Sequence, residues 1–513
     1  MDIRLFLLFL SGLLWGGFTI ANAQQSSASD PDNDTMNEHS ITIYSRSQPG
    51  AVDSSAFTGG DSPYQQDIPG YAVVRTIRGM DLSNPSVEFT DVASSIDPTT
   101  VAFKSLSHPD STRVLEQNYR YDLVSASRML EQFVGQQLTL RNVLGAEVET
   151  YRGTLMASNG NNVVLELADG RLVSLSDVGN ITFPNLPGGL ITRPTLQWHI
   201  ATDAPRHHDV EVSYETGGMT WWADYNLVLD ESDGCEMDLQ AWVSIVNQSG
   251  GTFNNARLKL IAGEVNRAPQ ARVVRTTAIR RNMSMAQVED AGFQEQSFFE
   301  YHLYTLGRSA DLPDRSLKQL ELFPTALGVS CEKQLVFAAG HRPWGVYSEP
   351  FTNTNHPQPL KGDVAVQLKF LNSEDNQLGL AMPAGRVRVS QRNPDDDNME
   401  FIGEDVIGHT PRNERLTIAL GNAFDVVGER RQADFRWNAA QRWMEETIEV
   451  EIRNQKNVPA NVLIRESLLR WSNWQITQQS HAFDKTDAST VEFDVTVEAE
   501  ETASVSYTVR YEW

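Results

Sequence analysis

The segment from Ser213 to Asn266 constrains the fold more than any other part of the chain, because its apolar residues recur at every second position. Side chains on a β-strand alternate between two faces, so this spacing places the apolar residues on one face of a sheet. The alternating residues are Tyr225, Leu227 and Leu229 in one run and Leu239, Ala241, Val243 and Ile245 in the next. Glycines at Thr216-Gly217-Gly218 and at Gln248-Ser249-Gly250-Gly251 favour tight turns. The segment therefore predicts consecutive antiparallel strands joined as two hairpins.

The first 23 residues have the features of a secretory signal peptide. Arg4 precedes an apolar run from Leu5 to Ile20, and the small-residue site Ala21-Asn22-Ala23 follows it. The run is shorter than a bilayer-spanning helix requires, and no second run of this kind occurs in the sequence. We expect cleavage after Ala23, export to the periplasm or out of the cell, and a mature chain that does not span the membrane.

The charge balance excludes one class of partner. The chain has a formal net charge of -25 at pH 7. A surface this acidic repels the phosphate backbone, so we expect no binding to nucleic acid. The charge itself indicates solubility rather than an acidic substrate.

The chain has two cysteines, Cys235 and Cys331. In an exported protein a lone pair of cysteines is most simply a structural disulfide, and the alternative is two free buried thiols. Neither cysteine has another Cys or His at ligand spacing, so we expect no metal bound there.

Short strand-like runs separated by turn signals recur along the rest of the chain and predict a mainly β protein. One short helix is expected from Ser125 to Val134, with Ser125 as its N-cap and Gly135 as its stop. The predicted fold class is several β-sandwich, immunoglobulin-like units plus a small SH3-like barrel. Two polar stretches, Ser47 to Asp67 and Arg272 to Ala291, predict a loop and an irregular connection. The predicted parts are a signal peptide (1–23), a disordered tail (24–40), an N-terminal β-sandwich (41–118), the helix with the small barrel (119–188), a central β domain (189–362) and a C-terminal β-sandwich (363–513).

Many separated motifs in the C-terminal two thirds of the chain resemble one family. They are Pro194 to Trp198, the TGGMTWWADY run that ends at Tyr225, LKLIAGEVN from Leu258 to Asn266, FEYHLY from Phe299 to Tyr304, Pro383 to Arg388, Phe401 to Asp405, His409-Thr410-Pro411, Gly421 to Val426 and Tyr507 to Tyr511. In this order they resemble domain of unknown function 4139 (DUF 4139), over roughly Gly189 to Trp513, as its two halves in the central and C-terminal domains. The resemblance implies a distant similarity to the mucoidy inhibitor A group. It implies no catalytic residues.

Aromatic residues in the central segment are the best candidates for a binding site. Trp221 and Trp222, with Tyr225 and Trp198, predict an aromatic platform on which sugar rings could stack. Neighbours on a strand point to opposite faces, so we expect at most one of the two adjacent tryptophans to face the core. The alternative is that these rings are buried for packing alone.

Three other motifs indicate chemistry only weakly. His207-His208-Asp209 suggests a metal cluster, but adjacent strand residues diverge and no third ligand has a fixed spacing. Asp395-Asp396-Asp397-Asn398 lacks the glycine and the distal glutamate of a calcium loop, so it predicts a hairpin tip with at most adventitious calcium. Ser330-Cys331-Glu332-Lys333 has the S-x-x-K spacing of serine acyl-transfer enzymes, but it leads into a strand where the Ser and Lys side chains would not converge.

These features predict an exported, multi-domain β protein without a cofactor, which works by binding a glycan or protein partner in the cell envelope or outside the cell. The common hydrolase and nucleotide-binding motifs do not occur in the sequence. We therefore expect no enzymatic activity. The alternative is a hydrolase or transferase that acts on envelope polysaccharide through a site without a known motif.

Overall fold

A computed structural model of the chain has a mainly β fold with several sheets and, in the part that it describes, one α-helix, as the sequence predicts. The structure describes residues 38–45, 68–144, 147–159, 162–176, 180–185, 187, 190–230, 234–263, 265, 293–339, 345–354, 360–393, 396 and 398–513. The predicted signal peptide, nearly all of the predicted tail, the loop from Ser47 to Asp67 and the connection from Arg272 to Ala291 lie outside these residues. Within them, no helix has the length and apolar character needed to cross a membrane.

The strands, in chain order, are β1 Glu38–Ser45, β2 Gly70–Asp81, β3 Ser86–Thr90, β4 Ile96–Ser105, β5 Thr112–Arg120, β6 Gln137–Leu144, β7 Glu147–Asn159, β8 Asn162–Leu167, β9 Leu172–Leu175, β10 Asn180–Thr182, β11 Thr195–Thr202, β12 His207–Gly217, β13 Met219–Asp230, β14 Glu236–Asn247, β15 Phe253–Ala262, β16 Phe293–Phe298, β17 Tyr301–Leu312, β18 Ser316–Phe337, β19 Leu360–Leu371, β20 Gly385–Arg392, β21 Met399–Ile407, β22 Arg415–Asn438, β23 Trp443–Asn454, β24 Ala460–Ser467, β25 Trp474–Gln479, β26 Asp484–Lys485, β27 Thr490–Val497 and β28 Thr502–Glu512. The helix α1 is Ala126–Gln132, and a 3₁₀ turn covers Glu374–Asn376.

The helix forms where the sequence predicts it. Ser125 caps its N-terminus, because the Ser125 side chain accepts a hydrogen bond from the backbone N–H of Arg128. Phe133 follows the last helical residue and is fully buried. The helix packs beside a five-stranded sheet of order β10-β6-β7-β8-β9, and together they have a small core of their own. This part of the chain corresponds to the predicted helix and small β unit.

Three further sheets contain the other strands of the residues that the structure describes. A seven-stranded sheet has the order β16-β17-β15-β1-β2-β12-β4, and a three-stranded sheet has the order β3-β11-β5. The largest sheet has thirteen strands, ten of them in the order β21-β20-β13-β14-β18-β19-β22-β23-β28-β25, with β24, β26 and β27 off this path. One core lies among the seven-stranded sheet, the three-stranded sheet and the β13 side of the largest sheet. A second core lies within the C-terminal strands.

The boundaries of the predicted domains stay a prediction. Some sheets contain strands from more than one predicted domain. In the seven-stranded sheet β1 pairs with β2 on one side and with β15 on the other, so strands from before and after residue 188 share one sheet. The strands β20 and β21, which follow residue 363, extend the β13 side, where Val387 and Val389 enter the first core. Strands from the predicted N-terminal, central and C-terminal domains therefore all contribute to the sheets around the first core.

The two hairpins predicted around the glycine turns are wrong. β12 belongs to the seven-stranded sheet while β13 belongs to the largest one, and β14 and β15 are separated in the same way. The hairpin partners are instead β13 and β14, which pair antiparallel along their full length. Gly218 and Gly250 do have positive φ, but they make corners at which the chain passes between sheets. A side chain at Gly218 would collide with the Gln248 carbonyl oxygen, since a Cβ there would lie 2.7 Å from it. Glycine marks a tight turn without specifying which strand the chain pairs with next.

A buried asparagine holds the corner after β14, and a second one holds the corresponding corner after β23. The Asn247 amide donates hydrogen bonds to the Gly251, Leu312 and Pro313 carbonyls at 2.8–3.0 Å, and its Oδ1 accepts one from the Ser249 N–H. Asn454 repeats this pattern, donating to Val458, Val497 and Glu498 and accepting from the Lys456 N–H. Each side chain satisfies one carbonyl of the segment that follows its own strand and two carbonyls at the end of another strand, β17 for Asn247 and β27 for Asn454.

We expect Asn247→Ala and Asn454→Ala each to lower the free energy of unfolding by about 3 kcal/mol, because several buried carbonyls lose their donor. Chemical denaturation of the purified variants measures this. Asn254→Ala is the matched control, since Asn254 is an exposed asparagine on the neighbouring strand. Equal stability of all three variants would show that the corners do not depend on these amides.

The second core contains two buried ion pairs, each with a tyrosine. Arg430 Nε donates to Glu466 Oε2 at 2.7 Å, and the Tyr507 hydroxyl donates to the same oxygen at 2.7 Å. Arg470 and Glu446 form the second pair, to which Tyr511 donates. Burial raises the pKa of both tyrosines well above 10, so both remain donors. A pair of this kind contributes little net stability, but removing one partner leaves a buried charge.

His39 lies on β1, near the middle of the seven-stranded sheet, and its Nδ1 is 3.1 Å from Thr76 Oγ1. Burial, and secondly the nearby charge of Arg78, lower the pKa of His39 below 6.5. The folded protein therefore favours neutral His39 more than the unfolded chain does. This contribution to stability is present above the unfolded pKa of 6.5 and is lost as the pH falls through the folded value.

His39→Gln should make unfolding less sensitive to acid. A glutamine keeps a polar group near Thr76 but cannot take up a proton. Melting curves of both proteins between about pH 7.5 and pH 5 compare the two, in a range where the histidine titrates and most carboxylates do not. The same loss of stability in both proteins would mean that His39 does not titrate in this way.

The predicted disulfide between Cys235 and Cys331 is confirmed. Cys235 directly precedes β14, and Cys331 lies where β18 changes partners, since Ser330 pairs with Glu236 of β14 and Cys331 pairs with Phe370 of β19. The bond therefore joins the start of β14 to the point at which β18 leaves it.

The double variant Cys235→Ser/Cys331→Ser should be less stable than the oxidised protein by about 4–5 kcal/mol, because the crosslink closes a long loop. The two cysteines are 96 residues apart. Denaturation of the variant and of the reduced wild-type protein should give matching losses. A loss below 1 kcal/mol in both would contradict a structural role.

Candidate functional site

The four aromatic residues predicted to form a platform are all buried. Trp198 and Tyr225 have no exposed surface, Trp221 is 1% exposed and Trp222 is 8% exposed. Trp198 packs against Phe89 and Phe103. Trp221 and Trp222 do face opposite sides of β13, as the alternation predicts, but neither ring is available for stacking. The aromatic platform is therefore corrected to its alternative, packing of the rings within the protein.

The side of β13 that faces away from the core carries a group of polar and aromatic residues, which we call the outer face. Directly paired residues of neighbouring strands share a face, so the pairings of β20, β13, β14 and β18 define it. Its members are Trp222, Asp224 and Asn226 of β13, Gln240, Trp242 and Ser244 of β14, Gln319 and Glu321 of β18, and Arg386 and Arg388 of β20.

One row of the outer face crosses four strands. Asp224 pairs with Arg386 on one side and with Trp242 on the other, and Trp242 pairs in turn with Glu321. Trp242 and Arg386 are half-buried, and Glu321 is exposed. The row therefore places an indole ring between two carboxylates, with a guanidinium beside one of them.

Asp224 is the centre of the hydrogen bonding on this face. Its Oδ2 accepts hydrogen bonds from Trp222 Nε1 and from Ser244 Oγ, both at 2.7 Å. Its Oδ1 lies 3.5 Å from Arg386 Nη2. Gln319 Nε2 donates to Ser244 Oγ at 3.1 Å and so continues the network to β18. These bonds hold the side chains of four strands in fixed orientations.

Two buried tyrosines, Tyr225 of β13 and Tyr304 of β17, hold the chain that leads into β20. The Tyr225 hydroxyl donates to the Pro383 carbonyl and the Tyr304 hydroxyl donates to the Ala381 carbonyl, both at 2.8 Å. Burial raises the pKa of both tyrosines well above 10, with the Asp224 charge a second cause for Tyr225. Both hydroxyls therefore keep their protons. Gly385 allows β20 to approach β13, since a Cβ there would lie 2.6 Å from the Ala223 carbonyl oxygen.

The other motifs do not assemble a second site with these residues. His208 is buried, with its ring nitrogens 2.9 Å from Ser105 Oγ and 2.7 Å from the Ala204 carbonyl oxygen, while His207 is exposed. Ser330 to Lys333 lie inside β18, where residues three apart face opposite sides. Asp396 is exposed, and Asp395 and Asp397 lie outside the described residues. Among the residues that the structure describes, no group of three or more His, Cys, Asp or Glu side chains could hold a metal ion.

Of the outer face, the sequence analysis singled out Trp222 alone as a candidate and missed the other residues, Trp242 and Arg386 among them. The alternation that buries Leu239, Ala241 and Val243 places Trp242 on the opposite face, so that signal was present in the sequence. Arg386 could not be found in this way, because its neighbour Asp224 lies about 160 residues earlier and the two strands pair in parallel.

Comparison with known proteins gives no match, either to a family model or to a curated protein. The resemblance to DUF 4139 therefore stays a prediction. The fold and the outer face define the chain only as a mainly β protein with several sheets and one polar, aromatic sheet surface.

Proposed function

We propose that the protein is exported and acts by binding a glycan of the cell envelope or of the extracellular space through its outer face. The observation that carries the proposal is the row Arg386, Asp224, Trp242 and Glu321 across four neighbouring strands. The resemblance to DUF 4139 and to the mucoidy inhibitor A group is part of this proposal.

The chemistry of the row suits a sugar. Glu321 and Arg386 carry planar groups that each offer two hydrogen-bonding atoms in fixed geometry, which matches a pair of neighbouring hydroxyls. An indole ring has an apolar face that can cover the C–H side of a pyranose while its edge stays in water. The Asp224 carboxylate orients the Arg386 guanidinium beside it before a ligand arrives, which lowers the entropy lost on binding.

The disulfide supports an exported location. Disulfides persist in oxidising compartments and are rare in the cytosol, and Cys235–Cys331 is a long-range crosslink of this kind. The signal peptide predicted at residues 1–23 supports the same location. Residues 1–23 lie outside the described structure, so the proposed export rests on the sequence for that part.

Binding, rather than a reaction, is proposed because the charged groups of the row are already paired or exposed. Asp224 is buried, its Oδ2 accepts two hydrogen bonds and its Oδ1 lies 3.5 Å from the Arg386 guanidinium, so this carboxylate acts within the protein. Glu321 lies on an open strand surface. An acid and a base for glycoside cleavage would need to face one bond from two sides.

Titration calorimetry with envelope polysaccharides tests the proposal. The wild-type protein should bind one of them, and Trp242→Ala should weaken that binding by about tenfold or more, the effect expected for a central aromatic anchor. Gln319→Ala should weaken it less, because Gln319 reaches the row through Ser244.

The matched control is Trp437→Ala, since Trp437 is 48% exposed and lies on β22, where it pairs with β23 of the second core. That variant should bind as the wild type does. The proposal fails if no polysaccharide binds, or if Trp242→Ala loses no more affinity than Trp437→Ala.

A further inference from the structure

A cavity of about 240 Å³ lies away from the outer face row, between β18 and the chain that connects β19 to β20. Phe323, Thr325 and Ala326 line it from β18, and Leu378, Leu380 and Met382 line it from the connection. Phe323, Ala326 and Met382 also belong to the first core, so the floor of the cavity is the core itself. Leu380 is 40% exposed and lies at the opening.

The connection that forms one wall is held in place by two asparagines. The Asn372 amide donates to the Leu380 carbonyl at 2.7 Å and to the Pro411 carbonyl at 2.9 Å, and it accepts from the Gly379 N–H. Asn376 exchanges two hydrogen bonds with the backbone of Ser330 on β18, at 2.7 and 3.1 Å. The walls are therefore joined to each other, and the cavity is preformed rather than opened by a ligand.

The chemistry of the lining selects a neutral ligand. None of the residues that line the cavity carries a charge. Three polar side chains take part in the lining, Thr325, Asn372 and Gln377. The Asn372 amide is used by the wall, whereas no hydrogen bond within the described part of the chain uses the side chain of Thr325 or Gln377. A buried charge would find no partner here, whereas an apolar body with one hydrogen-bonding group would match both the lining and the polar side chains.

The volume limits the size of the ligand. A dry apolar cavity of about 150 Å³ is large enough to bind benzene. At about 240 Å³ the cavity beside β18 has room for a fused pair of rings. We propose that it binds a small neutral molecule with one or two rings and a single hydrogen-bonding group, which the Thr325 hydroxyl meets while the rings lie against Phe323, Ala326 and Met382.

Indole and benzene are the probes for this site, because they differ in one N–H group. Protein-observed NMR of the full chain should show saturable binding of indole, with shifts at the methyl groups of Met382 and Ala326. Ala326→Leu fills the cavity and should abolish the binding of both probes. Thr325→Val keeps the shape but removes the hydroxyl, so it should weaken indole binding severalfold and leave benzene binding unchanged.

The fold of each variant is checked by its near-ultraviolet circular dichroism and by the intact disulfide. Thr325→Val is a nearly isosteric change at a partly exposed position, so it keeps the test valid if Ala326→Leu fails to fold. The proposal is overturned if folded wild-type protein shows no saturable binding of indole up to its solubility limit. It is also overturned if Thr325→Val affects both probes equally, or if N-acetyl-tryptophanamide binds more tightly than indole, which would assign the cavity to a side chain of a partner protein.

Discussion

The direct pairing of β13 with β14 is the constraint on which the rest of the structure depends. From Trp221 to Leu229 the core-facing residues of β13 lie opposite core-facing residues of β14, as Trp221 lies opposite Ile245 and Tyr225 opposite Ala241. A slip of one residue in this pairing would turn one strand over relative to the other, moving Asp224 to the core side and Tyr225 to the outer face. The same register creates the outer face, because the alternate residues must then be Trp222, Asp224, Trp242 and Ser244. Fold and proposed binding surface are two results of one alternation.

Three strands extend this arrangement to the C-terminal part of the chain. β18, β19 and β22 each contribute side chains to both large cores, as β18 does with Leu320 in the first and Phe337 in the second. The disulfide lies where β18 passes from one partner strand to the next, so it crosslinks the region between the two cores. The cavity proposed as a ligand site lies near the same region, since Asn376 of its wall binds Ser330, the neighbour of Cys331.

The sequence predicted local features well and long-range pairing poorly. Period-two alternation identified β13 and β14, the cap at Ser125 identified the helix, and the lone cysteine pair identified the disulfide. The glycine turns after β12 and after β14 were wrongly assigned to hairpins. A turn shows that the chain changes direction, but it does not show which strand the next segment pairs with. The role of Asn247 at the second corner was not recognised. Trp221 and Trp222 were expected to form a platform, but both rings are buried. Burial depends on contacts between distant parts of the chain, as Ser244 contacts Gln319 and Asp224 contacts Arg386. The outer face needed the pairing of β13 with β20, which only the structure provides.

Hydroxyl-radical footprinting of the tryptophans tests the central register most directly, because oxidation follows the exposure of each ring in solution. With the odd-numbered residues of β13 and β14 in the core, Trp221 should be protected as fully as the buried Trp198 of β11. Trp242 should be oxidised at a rate closer to that of exposed Trp437. If Trp221 is oxidised as fast as Trp242, the two faces of the hairpin are not those described, and neither the core nor the outer face has the composition on which this account depends.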